Sequence, residues 1–146
     1  HEVNGTTVSK PTVINFFVNR ELAGKTLTVY KPGSQARNFV HVKDVARVYV
    51  QSAEQLLNQL KRGEITVETY EIASEEDLSV MRVAEMVQHI ARKEREIDVN
   101  VELVDNPRSG ETDVEEFGVD ISSARSRLGW EPNELVDKSL RKLLTR

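Results

Sequence analysis

Apolar residues recur along this chain with two different periods, and the switches between them mark out its elements. Over residues 12–23 (TVINFFVNRELA), Val13, Phe17 and Leu22, with Ile14 and Val18 beside them, line one face of a predicted helix. Pro11 stands at its start, where a missing N–H costs little, and Gly24 is its stop. Residues 27–30 (LTVY) predict a short strand, Lys31-Pro32-Gly33-Ser34 a turn, and residues 38–42 a second extended piece. Asp44 is placed to cap a helix over 45–60, whose buried face is predicted as Val45, Val48, Tyr49, Ala53, Leu56 and Leu60. Lys61 and Arg62 before Gly63 put cations at the negative end of its dipole. Residues 67–73 (VETYEIA) predict a strand, and Ser79 caps a helix over 80–92 buried through Val80, Val83, Ala84, Val87 and Ile90. Ile97, Val99, Val101 and Leu103 alternate with Asp98, Asn100 and Glu102, the pattern of a half-buried strand. A polar loop over 106–112 follows, then a short helix from Asp120 or Ser122 to Gly129. Pro132 precedes a last amphipathic helix through Val136, Leu140, Leu143 and Leu144. The order is mixed α/β with few, short strands.

Composition narrows what such a domain can do. At 146 residues the chain fits one compact domain. Its net charge of −4, with no long Lys/Arg stripe, argues against nucleic acid as a partner. The absence of cysteine removes disulfides, thiolate catalysis and thiolate metal sites together. His1, His41 and His89 are too scattered for a zinc site, so no metal is expected. No apolar run reaches the length of a membrane span and no signal-peptide pattern is present, so a cytoplasmic setting without membrane contact is expected.

Four segments carry a resemblance. They are Gly24-Lys25-Thr26-Leu27-Thr28-Val29-Tyr30 continuing through Gly33-Ser34-Gln35-Ala36-Arg37-Asn38-Phe39-Val40-His41-Val42-Lys43-Asp44; Tyr70-Glu71-Ile72-Ala73; Arg108-Ser109-Gly110-Glu111; and Asp120-Ile121-Ser122-Ser123-Ala124-Arg125 with Leu128-Gly129-Trp130-Glu131-Pro132. In this order they resemble the C-terminal, substrate-binding part of the extended short-chain dehydrogenases, the NAD-dependent nucleotide-sugar epimerases and dehydratases. The chain departs from that pattern at Lys31-Pro32, Asn38, Glu71 and Ser123, so the turn after Tyr30 is expected to have its own shape. The family's glycine-rich dinucleotide loop and its Tyr-x-x-x-Lys pair do not occur in these residues.

The resemblance implies a small mixed α/β portion of that fold lacking most of the Rossmann sheet, with residues 41–73 packing on an absent cofactor-binding lobe. It implies a nucleoside-diphosphate sugar as ligand, and isomerase or lyase chemistry in a full-length parent that holds NAD or NADP. Neither cofactor nor turnover is expected of this chain alone, and no catalytic residue is assigned. Arg37 and Arg108 would hold the diphosphate, a guanidinium offering a planar fork of donors; read on its own, each is a surface arginine paired with a carboxylate. Glu111 would accept from ribose hydroxyls, or is simply solvated. Thr28, Val29 and Tyr30 would line the base pocket with backbone groups reading the base edge, or form a plain core strand; Gln35 would shape the same pocket, or is a turn residue. His41 and Asp44 read as structural, Trp130 as packing the last helix, and Tyr49 and Tyr70 as packing residues. A non-catalytic nucleotide- or partner-binding module of the same descent is the alternative. Either way an open interface is expected, covered by the missing Rossmann half or by self-association.

Overall fold

The computed structural model describes residues 2–3, 6–7, 12–107 and 118–145. They form β1 (Glu2–Val3), β2 (Thr6–Thr7), α1 (Val13–Leu22), β3 (Leu27–Tyr30), β4 (Ala36–Asn38), α2 (Val42–Lys61), β5 (Asp77–Ser79), α3 (Val80–Arg95), β6 (Val101–Val104), a π-helical turn (Ala124–Leu128) and α4 (Val136–Leu144). The chain divides into two compact units, one of His1–Gly33, Val80–Gly110 and Leu140–Arg146, the other of Ser34–Ser79 and Glu111–Ser139.

In the first unit β3 and β6 lie parallel, with Leu27 opposite Val101 and Tyr30 opposite Val104. Parallel neighbours need a long crossover. Helices α1 and α3 contact each other, and both contact β3. Phe17 and Val18 of α1, Leu27 and Val29 of β3, and Val83, Ala84, Val87, Ile90 and Ala91 of α3 are buried. The helical period of α3 was legible, whereas Leu22 is exposed and the sixth strand begins at Val101 rather than Ile97.

The second unit has its own core of Val48, Ala73, Ile121, Ala124 and Trp130, with Val40, Tyr70, Ile72, Val119 and Leu128 packed against it. Antiparallel β4 and β5 pair Ala36 with Ser79 and Asn38 with Asp77. The Asn38 side chain extends this pairing: its Oδ1 accepts from the Ser74 N–H at 2.7 Å and its Nδ2 donates to the Ser74 carbonyl at 2.9 Å. The π-helical turn ends at Gly129, whose φ of 65° lies in the left-handed region that glycine enters without a Cβ clash.

Three expectations for this unit are corrected. The cap of α2 is His41, whose Nδ1 accepts from the Lys43 N–H at 3.1 Å, and Asp44 lies one turn in, fully buried. The apolar stripe of α2 is not its buried side: Asp44, Val48 and Gln59 are buried, while Val42, Tyr49, Val50, Leu56, Leu57 and Leu60 are exposed. Tyr49 is therefore not a packing residue within the unit. Finally, residues 67–73 are not a strand. Their β-propensity has no neighbouring strand to pair with among the described residues, and a ladder needs two.

Asp44 anchors the segment that follows the π-helical turn. Its Oδ2 accepts from the N–H groups of Asn133 and Glu134 at 3.1 and 3.0 Å, and its Oδ1 lies 2.9 Å from Arg47 Nη1. Its backbone carbonyl accepts from Trp130 Nε1 at 2.8 Å. Removing a buried carboxylate with several partners strands each of them. Asp44→Ala is expected to cost about 3 kcal/mol, read as the shift of the urea-denaturation midpoint. Asp105→Asn, which breaks only an exposed pair, should move it by less than about 0.5 kcal/mol.

Candidate functional site

The turn that follows β3 is built by close packing. The Lys31-Pro32 peptide is cis and Gly33 has a φ of 79°. A Cβ on Gly33 would stand 3.0 Å from Leu103 Cδ2 and 3.2 Å from Val29 Cγ1, so both the backbone angle and the space require glycine. The Gly33 carbonyl accepts from the Met81 N–H at 3.0 Å, which ties the turn to the start of α3. Lys31 in turn donates from its backbone to Val104 O at 2.9 Å, and its ammonium sits 2.9 Å from Asp105 Oδ1. The carboxyl ends of β3 and β6 thus feed adjacent loops, the end of parallel strands where α/β folds place ligands.

Thr28, Val29 and Tyr30 take different parts in this arrangement. The Val29 side chain is buried and contributes to the core, whereas Thr28 is half-buried and Tyr30 is 50% exposed. Leu27 and Lys31 donate their N–H groups to Asn100 and Val104. In a parallel ladder bonding alternates along each strand, so Thr28 and Tyr30 turn their backbone N–H and C=O to the opposite edge. Among the described residues no strand pairs with that edge. Among the described residues that row of donors and acceptors has no ladder partner.

In the second unit Gln35 is buried and its Oε1 has no hydrogen-bond partner. Arg37 on β4 is exposed; it donates from Nη1 to the Ala36 carbonyl at 3.0 Å, and among the described residues it pairs with no carboxylate. Among the described residues the surface ion pair that Arg37 suggests when read on its own does not form. By contrast Arg125 is held by Glu75 at 2.5 Å and by Glu131 at 3.7 Å, and Arg127 by Glu68 at 2.6 Å. Arg108 and Glu111 lie outside the described residues.

A cavity of about 350 Å³ in the second unit includes none of these predicted residues. Glu75, Asp77 and Asp120 line it with Arg125, whose charge Glu75 already takes, so it repels a diphosphate. Among the described residues there is no group of metal-ligating side chains and no helix long and apolar enough to cross a membrane. Among the described residues the starts of α1 and α2 lack the turn that cradles a dinucleotide. The starts of α1 and α2 are capped by Thr12 and His41 with no glycine-rich turn before them, and the turn containing Gly33 leads into β4, not into a helix.

A parallel strand pair covered by α1 and α3 defines an α/β protein. Comparison with known proteins agrees and is more specific. Residues 2–143 match the family described as GDP-mannose 4,6 dehydratase. The chain belongs to this family, within the nucleotide-sugar epimerases and dehydratases of the extended short-chain dehydrogenases. It is 31% identical over 128 residues to UDP-glucuronic acid decarboxylase 6 of Arabidopsis thaliana, covering 88% of this chain and 33% of that protein. The fold resembles UDP-glucose 4-epimerase of Thermotoga maritima, solved with UDP-glucose, with a TM-score of 0.67 at 24% identity over 92% of this chain and 38% of that one. It also resembles the Bordetella bronchiseptica enzyme WbmF, solved with NADH, with a TM-score of 0.64 at 26% identity over 91% of this chain and 35% of that one. The chain spans about a third of the length of the curated relatives it matches.

Substituting Gly33 by Ala should lower the thermal midpoint, because a left-handed alanine costs about 1–2 kcal/mol before the contact with Leu103 is counted. Differential scanning fluorimetry reads the loss. Lys31→Ala, which removes an exposed pair, should leave the midpoint within a degree or two.

Proposed function

We propose that this chain is the nucleotide-sugar-binding portion of an NAD- or NADP-dependent nucleotide-sugar epimerase or dehydratase, and that it performs no turnover alone. The unpaired Arg37 carries this reading. An exposed guanidinium with no carboxylate partner among the described residues, held near the strand by the Ala36 carbonyl, has further donors to offer a phosphate. Arg108 supplies the second cation and Glu111 a ribose contact, as in the family pattern. Thr28 and Tyr30 meet the base through the free edge of β3. Gln35 offers a buried amide oxygen in want of a donor. The cofactor supplies the transient oxidation of the sugar in the full-length enzyme, and no residue here is assigned to that step.

Residues 41–73 are the face that the cofactor-binding lobe covers in this reading. Two observations support it. The helix α2 turns Gln51 and Gln59 inward while Leu60 is 58% exposed, an inverted amphipathic helix that calls for an apolar cover. In the segment after it, Tyr70 and Ile72 pack on the core while Ile65 and Val67, of opposite parity, are 95% and 98% exposed. That alternation is a strand's, with its backbone open to another sheet.

Thermal-shift titration with UDP-, dTDP- and GDP-sugars tests the binding site. One of them should raise the midpoint by mass action, and Arg37→Ala should weaken its affinity about tenfold or more, consistent with loss of a charge-assisted bond. An unchanged affinity in the variant refutes the assignment of Arg37. The purified chain should also self-associate in size-exclusion chromatography with light scattering. A strict monomer with residues 64–73 protected in hydrogen exchange overturns the open-face reading.

A further inference from the structure

Glu21 lies on the inner side of α1 with Phe17 and Val18, fully buried, and neither of its carboxylate oxygens has a hydrogen-bond partner. Uncompensated burial of this kind is tolerated for a neutral acid and penalised for an anion. We propose that Glu21 is a proton-operated latch in the first unit: neutral, it lets α1 seat against α3 and β3, and ionised, it loosens that seat.

The surrounding charges favour this behaviour. Asp98, just beyond α3, opposes ionisation, and Arg92, near the end of α3, favours it. Arg92 is committed elsewhere, its Nη2 lying 2.5 Å from Asp98 Oδ1, so its compensation of Glu21 is shared. On α1 itself Arg20 is turned away, donating from Nε to the Thr26 carbonyl at 2.6 Å and lying 5.5 Å over the Phe16 ring. From β3, Leu27 and Val29 present only apolar side chains. Burial first and Asp98 second therefore push the Glu21 carboxyl from 4.5 to about 7. A folded-state value above the unfolded one means that the native state holds the proton more tightly. Stability is then lost as pH rises from about 4.5 through about 7, and the loss is complete above that.

The element under the latch is β3, which both α1 and α3 contact. Ionisation loosens the support of the strand whose free edge presents Thr28 and Tyr30. The effect on nucleotide binding rests on the role proposed above for that edge; the latch does not.

Thermal unfolding of the 146-residue chain between about pH 5 and pH 8.5, compared with Glu21→Gln and Glu21→Leu, isolates this group from the other carboxylates. Relative to wild type, both variants should gain stability as pH rises. The difference should develop through pH 7 and reach on the order of a hundredfold in the folding equilibrium. Hydrogen exchange of residues 13–30 should accelerate with pH more steeply in wild type than in Glu21→Gln. Glu21→Leu serves if the amide variant folds poorly. Curves for wild type and a folded variant that stay parallel across this range overturn the latch. A nucleoside diphosphate that binds at no pH overturns the pocket reading instead, and leaves the difference between the stability curves to decide the latch.

Discussion

Within the second unit, the carboxylate of Asp44 is completely removed from water and serves three groups at once: the N–H groups of Asn133 and Glu134 and the guanidinium of Arg47. The same residue's carbonyl takes the indole N–H of Trp130. Burying an anion is costly unless it is paired, and here two backbone donors far along the chain meet Oδ2 while the Arg47 guanidinium lies beside Oδ1. The result is that α2 and residues 130–134 are fixed to one another through Asp44, Arg47 and Trp130. Trp130, fully buried, then completes the core formed by Val48, Ala73, Ile121 and Ala124. The strand pair β4–β5 is tied into the same unit through Asn38 and Ser74, next to the cation proposed to meet phosphate.

This anchoring explains how α2 can hold an inverted orientation. A helix with Val42, Tyr49, Val50, Leu56, Leu57 and Leu60 on its outer side would ordinarily roll to bury them. The Asp44 and Arg47 contacts near its start oppose that rotation, because rolling would strand a buried charge. The apolar stripe thereby stays exposed among the described residues. The segment that follows has the alternation of a strand without the ladder.

Much of this was legible in the residues, and the misses share one cause. The helical period of α3 and the Leu27–Tyr30 strand follow from local pattern alone, and both are present. The period of α2 was also read correctly, but not which side faces inward. Periodicity identifies an apolar stripe without saying whether this chain or another surface covers it. Residues 67–73 failed as a strand for the same reason, since a ladder needs a neighbour that no local pattern supplies. His41 displaced Asp44 as the cap because both suit a helix start, and only the distant N–H groups of Asn133 and Glu134 give Asp44 its better use. At the candidate site, the exposure of Arg37 and the free edge of β3 emerge only once pairing partners are known. The family pattern named the residues, and the geometry divides Val29, a core side chain, from Thr28 and Tyr30.

The interleaving of the two units along the chain bears on how the molecule is made. The first unit takes residues from the beginning, middle and end of the sequence, and the second fills the gaps. The parallel neighbours β3 and β6 must find each other across an intervening stretch that includes β4, α2, β5 and α3, and such non-local closure is slow. Leu140 and Leu144, both buried and both in the first unit, follow the last segment of the second unit and join the first only after that segment is made. Neither unit is therefore complete before most of the other has been made, and neither can be cut out as one continuous peptide.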